Sequence, residues 1–240
     1  SELVNGQFAV ALNRRIVLVQ VHDQRVTAEV DSPLHQHRDV LLSSSGERLL
    51  ASSGSSICIW ETTDGWVTNR LVNRFDIEHF AVPVLCDGGN TLIVDDDVDR
   101  QLFSIDVKTK ERRLISSFTR VRHLCIDSSE TRLGIVSNDA FRVMDRKTSE
   151  TLLDAENVEI ASQIRFTNDG VTLMDCRRDG SIHVWHLPTK ERLGLLFRPK
   201  STIGTLMRWQ IARESPRMML EFANDYGGFH LLVTPARSSR

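Results

Sequence analysis

A blurred phrase returns about every forty residues along this chain: a polar turn, a short apolar strand, then an aromatic or apolar residue followed by a polar one. It is sharpest as Asp179-Gly180-Ser181-Ile182-His183-Val184-Trp185-His186, and next sharpest as Ser55-Ser56-Ile57-Cys58-Ile59-Trp60-Glu61. Weaker copies are Asp99-Arg100-Gln101-Leu102-Phe103-Ser104-Ile105-Asp106 and Asn138-Asp139-Ala140-Phe141-Arg142-Val143-Met144-Asp145. With Trp60, Ile105, Met144 and Trp185 in one equivalent position, the intervals are 45, 39 and 41 residues, and counting 41 back from Trp60 reaches Val19. A period of that length, carried by short alternating strands, constrains the chain to a radial all-β repeat.

The second copy shows the order within a repeat. Residues 40–42 read as an inner strand, Ser43-Ser44-Ser45-Gly46 as a turn, and residues 47–52 and 56–61 as the next two strands. Thr62-Thr63-Asp64-Gly65 then turns into 66–73. Repeated along the chain, this order gives copies at about 1–34, 35–78, 79–119, 120–159, 160–202 and 203–240, read as a single domain. Four short strands with both faces in water do not make a stable sheet, so neighbouring copies must pack face to face.

The repeated phrase resembles the signature of the WD-repeat β-propeller family, which ends in an Asp-rich turn, an apolar strand and Trp-Asp. The resemblance implies an all-β propeller of four-stranded antiparallel blades, either six or part of a seven-bladed ring. In that family a hydrogen-bonded network joins the Trp to an Asp six residues earlier, a Ser or Thr two before that Asp, and a His at the blade entrance. Asp179 and Trp185 match two members, with Arg177 in place of the hydroxyl residue. Trp60 and Ser52 match two others, with His35 as a third and Gly54 in place of the Asp; Asp99 is retained although Ile105 replaces its Trp. The chain reads as opening on the second strand of one blade and closing near the third strand of another. That pattern is expected of a piece of a larger protein.

Composition narrows the function classes. The chain has 240 residues, 40% of them hydrophobic and 26% charged, which supports a packed core rather than global disorder. A formal net charge of -2 gives no broad phosphate-seeking field. Cys58, Cys86, Cys125 and Cys176 form no CxxC pair and sit mostly in strand-like runs, as reduced core thiols would. The expected compartment is therefore the cytoplasm, with the nucleus as the alternative. Residues 3–21 are too interrupted by polar side chains to read as a membrane span or secretory leader.

Several residues stand out as candidates. Asp95, Asp96, Asp97 and Asp99 read as a solvated acidic turn and a docking patch for a basic partner; the run lacks the order of a calcium loop, so no metal or cofactor is assigned. Trp66 and Trp209 are candidate interface anchors. Arg177 and Arg178 are candidate partner-binding arginines, although Asp179 interrupts a phosphoinositide-type motif after them, and no aromatics interleave for nucleic-acid stacking. Phe197-Arg198-Pro199-Lys200 forms a further rim patch. Trp60, Trp185, Asp179, Ser52 and Asp99 are read as structural. No nucleophile is fixed beside a base, so the chain is not read as an enzyme. The expected function is a protein-interaction scaffold within a multidomain protein or assembly, its partners other proteins or other domains of the same protein. The alternatives are phosphoinositide or nucleic-acid backbone binding, and an enzyme with its site in a propeller channel.

Overall fold

The computed structural model describes residues 4–77, 83–96, 98–118, 120–138, 140–156, 161–167, 169–177, 179–197, 205–211, 218–224 and 227–233, the last three stretches as backbone. Among them lie six antiparallel sheets in chain order, each made of consecutive strands. The first holds β1 (Gln7–Leu12), β2 (Arg15–Gln20) and β3 (Arg25–Asp31). The second holds β4 (Asp39–Leu42), β5 (Arg48–Ser52), β6 (Ser56–Glu61) and β7 (Arg70–Asp76). The third holds β8 (Val84–Cys86), β9 (Thr91–Asp96), β10 (Gln101–Asp106) and β11 (Arg112–Ser117). The fourth holds β12 (His123–Ile126), β13 (Arg132–Val136), β14 (Ala140–Asp145) and β15 (Thr151–Glu156). The fifth holds β16 (Ala161–Phe166), β17 (Thr172–Arg177), β18 (Ile182–His186) and β19 (Glu191–Phe197). The sixth holds β20 (Thr205–Ile211), β21 (Met218–Asn224) and β22 (Gly227–Val233). The chain divides into two compact units, Ser1–Val121 and Arg122–Arg240, with three of these sheets in each.

The repeated sequence position is also a repeated structural position. Val19, Trp60, Ile105, Met144 and Trp185 are each the penultimate residue of their strand, in β2, β6, β10, β14 and β18. In four of the five sheets the pairing with the following strand slips at that residue: at Leu18/Val19, Ile59/Trp60, Val143/Met144 and Val184/Trp185. A bulge at a fixed place increases the local twist in the same way each time.

The turns repeat as well. Between the first and second strands, the N–H groups of Gly46, Asn90, Glu130 and Gly170 donate to the carbonyls of Ser43, Asp87, Asp127 and Thr167 at 2.9, 3.1, 3.0 and 3.1 Å. Gly46 and Gly170 adopt φ of 76° and 66°, where an L side chain is strained. After the third strand, the Asp106 carboxylate accepts from the N–H groups of Lys108 and Thr109 at 2.9 and 2.7 Å. Asp145 does the same for Lys147 and Thr148 at 2.9 and 2.8 Å. The bonds from Thr109 and Thr148 are the main reason both carboxyls sit below the usual range.

Alternation along a strand places side chains on opposite faces, and here both faces are buried. Ile57 and Ile59 of β6 pack with Leu85, Leu92 and Val94 of the third sheet. Cys58 and Trp60, between and beside them, pack with Ala9, Ile16 and Leu18 of the first sheet. The second sheet is thus held from two sides, each fully buried large aliphatic contributing about 1.5–3 kcal/mol before entropy.

In the other unit, Val136, Phe141 and Val143 meet Ala161, Ile164, Leu173 and Trp185 across the fourth and fifth sheets. Gly134 makes that approach possible. A Cβ there would lie 2.7 Å from Cys125 Sγ and 2.8 Å from Ile164 Cδ1. None of the four cysteines is in a disulfide. No helix among the described residues is long and apolar enough to cross a membrane.

Candidate interaction surface

The acidic run is divided between strand and turn. Asp95 is 2% exposed, because β9 extends through Asp96 and sets Asp95 opposite Leu102. The half-buried Asp96 accepts the N–H groups of Val98 at 3.1 Å and Asp99 at 3.4 Å, folding the connection to β10 around its own carboxylate. Asp99 is exposed, and Asp97 lies outside the described residues. The expected acidic docking patch is therefore corrected at Asp95, which is a strand residue turned inward. Among the described residues, no group of three or more His, Cys, Asp or Glu side chains could hold a metal ion.

Trp66 is likewise not an exposed anchor. It is 2% exposed and belongs to the core between the first and second sheets. The loop after β6 folds back because Thr62 Oγ1 donates to the carbonyl of Thr68 at 2.8 Å and accepts the Trp66 N–H at 2.9 Å. The indole Nε1–H then donates to the Gly46 carbonyl at 2.8 Å, satisfying its polar edge in the interior. Trp66 has φ of 75°, a strained conformation for a tryptophan that the buried ring and its bonds hold in place. The side chain of Trp209, on β20, lies outside the described residues.

Arg177 was expected on a partner-binding turn and is instead the last residue of β17, 7% exposed. Pairing of β17 with β18 sets Leu173 opposite Trp185 and Asp175 opposite His183, all on the face toward the fourth sheet. That face is apolar at one end and charged at the other. The fully buried Asp175 accepts the Trp185 Nε1–H at 2.6 Å through Oδ2 and the Arg177 Nε–H at 3.4 Å through Oδ1. Arg178 lies outside the described residues.

His183 completes the buried cluster. Arg192 donates to Nδ1 and also approaches Nε2 at 3.2 Å, while Ser181 Oγ lies 3.3 Å from Nε2. A guanidinium only donates, so the ring nitrogen facing it accepts and the imidazole is neutral. Burial and then the Arg177 charge hold His183 below the usual imidazole range.

The structural residues also depart from the family-type network. Trp60 and Trp185 are both core residues, as expected. The Trp185 donor, however, reaches Asp175, while Asp179 accepts the Ser181 N–H at 2.8 Å and builds the turn into β18. Ser52 donates to Asp39 Oδ2 at 3.1 Å, its cross-strand neighbour, and Trp60 is set opposite Leu49. His35 accepts from Arg14 Nε at 3.1 Å. Sequence reasoning missed Asp175; its signal was a carboxylate between the apolar Met174 and Cys176 in the middle of a strand.

With Asp95, Trp66 and Arg177 turned inward, the surface feature that stands out among the described residues is β19. It ends the strand order of the fifth sheet and carries Leu193, Leu195 and Leu196 at 62%, 46% and 51% exposure. Two register shifts against β18 leave Leu193 and Leu196 without a cross-strand partner. Bulges of this kind redirect side chains away from the ladder. No protein-family model matches this sequence, and no curated protein matches it either.

Proposed function

We propose that this chain is a protein-interaction module of the WD-repeat β-propeller type, and that it docks a partner protein through the outer strand β19. The repeat period, the penultimate tryptophan or apolar residue of each third strand and the recurring bulge beside it support the propeller reading. The observation that carries the interaction reading is the row of three exposed leucines on β19. Contiguous apolar side chains on a sheet edge are a liability for a protein that leaves them in water, and a useful anchor for one that covers them. The titratable cluster of Asp175 and His183 is buried and hydrogen-bonded, which supports a structural rather than a catalytic role for it.

The test places a photo-crosslinking amino acid at Leu195 of the full chain, with a control at the exposed Val67. Irradiation in native extract should give a discrete protein adduct at Leu195 and none at Val67. Absence of an adduct from both positions, or the same adducts from both, refutes the reading.

A further inference from the structure

The composition around β19 specifies what kind of partner fits it, on the reading that this strand is a docking surface. We infer that β19 binds an acidic, leucine- or phenylalanine-bearing segment of a partner protein through side-chain contacts rather than by strand addition.

Three observations carry this. First, β19 differs from the other last strands whose side chains are described. Val26 on β3, Leu71 on β7 and Leu114 on β11 are the sole large apolar residues those strands expose, against three on β19. Second, β19 is bulged twice. The bulge at Leu193 corresponds to that of the other repeats, where Thr27, Val72 and Leu152 are the skipped residues. The shift at Leu196 is additional, falling between Ile182 and His183 of β18. Two interruptions in seven residues spoil the regular spacing of open-edge N–H and C=O groups that an added strand needs. The leucine side chains remain available where the ladder does not.

Third, the charge is one-sided. From Lys190 to Lys200 the sequence carries four basic residues, Lys190, Arg192, Arg198 and Lys200, against the single acid Glu191, in a chain whose net charge is -2. Lys190 immediately precedes the strand and Arg192 lies within it, while Arg198 and Lys200 follow it in the sequence. Arg192 is exposed while it contacts His183, which anchors its guanidinium. Basic residues bordering an apolar strand in sequence favour carboxylates interspersed with apolar residues and disfavour a basic partner. A second copy of this chain would bring the same basic, doubly bulged strand against itself, which both charge and ladder geometry oppose.

The experiment selects displayed random peptides of about twelve residues, enough to span the strand and its flanks, on the immobilised full chain. Counter-selection uses the variant L193S/L195S/L196S, whose replaced side chains are solvent-exposed; circular dichroism confirms its fold. Enriched peptides should be rich in Asp and Glu together with Leu or Phe. They should bind the variant about tenfold or more weakly, as loss of several buried leucine contacts requires. Their affinity should also fall as salt rises from about 0.1 to about 1 M, which shortens the screening length from about 10 to about 3 Å.

Neutral or basic β19-dependent peptides overturn the acidic assignment. Enriched peptides that ignore the triple substitution overturn the surface while leaving the interaction module standing. A β19-dependent dimer in sedimentation assigns the strand to a second copy. Equal pelleting of native and variant chains with anionic vesicles leaves the inference intact, whereas pelleting by the native chain alone, without acidic peptide enrichment, assigns the surface to a membrane.

Discussion

Replacing Trp185 with Phe removes one hydrogen-bond donor from a buried carboxylate and tests whether Asp175 belongs to the fold's cohesion. The indole Nε1–H lies 2.6 Å from Asp175 Oδ2, and Asp175 has no exposed surface. A hydrogen bond to a charged group contributes about 1.5–3 kcal/mol net, and the carboxylate left behind has no water to turn to. Phe retains a ring beside Phe141, whose centroid is 5.2 Å away at an interplanar angle of 81°, so much of the edge-to-face packing survives. The smaller ring also leaves a void among Leu173, Leu187 and Val143. Together these predict that Trp185→Phe destabilises by about 3 kcal/mol. Urea unfolding followed by far-ultraviolet circular dichroism measures it without relying on the deleted fluorophore. The double variant with Asp175→Ala should fall short of additivity by about 1 kcal/mol or more, since the two changes remove one shared bond. A loss below about 1 kcal/mol for Trp185→Phe, together with full additivity, refutes the assignment.

Further outcomes follow from other parts of the molecule. Gly134→Ala puts a methyl 2.7 Å from Cys125 Sγ and 2.8 Å from Ile164 Cδ1. It should destabilise by about 1–3 kcal/mol, partly restored by Cys125→Ala, and an unchanged thermal midpoint would contradict the close sheet approach. Cys58, whose thiol burial pushes up to about 11, should resist alkylation at pH 8 until urea is added; rapid native labelling would contradict its burial. Burial, with the Arg165 charge, pushes His123 down to about 3, so the folded ring is neutral where the unfolded ring is protonated. The unfolded state therefore binds the extra proton below about pH 6.5, and stability should decline from there to about pH 3 by up to about 1.4 kcal/mol per unit. His123→Asn should flatten that slope in urea midpoints measured across the range, and an equal slope in both proteins would refute it. The contribution from the lowered Asp106 and Asp145 carboxyls is present above their unfolded range and disappears only at more acidic pH.

The repeat was legible because two signals reinforced each other. The penultimate residues of β2, β6, β10, β14 and β18 recur at nearly constant spacing, and polar turns punctuate the strands between them. The site residues were harder for a physical reason. In a sheet packed on both faces, charged residues near strand ends look like turn punctuation although they point inward. Asp95 and Arg177 were misread that way, and Asp175 was overlooked because its partners Trp185 and Arg177 meet it only once β17 and β18 are in register. Trp66 follows a Gly-containing turn, and only the fold-back made by Thr62 reveals that its ring returns to the core. The three leucines of β19 were present in the sequence, yet alternation alone would have buried some of them. The two bulges, at Leu193 and Leu196, have no distinctive residue signature.

Hydrogen exchange followed by mass spectrometry tests the stacking of sheets with their outer strands left available most directly. Amides of β5 and β6, β9 and β10, β13 and β14, and β17 and β18 have strand neighbours on both sides and should exchange slowest. Those of β7, β11, β15 and β19 should exchange markedly faster, with β19 fastest of the four because its ladder is twice interrupted. Equal protection across each sheet, or slowest exchange in β19, would contradict the account.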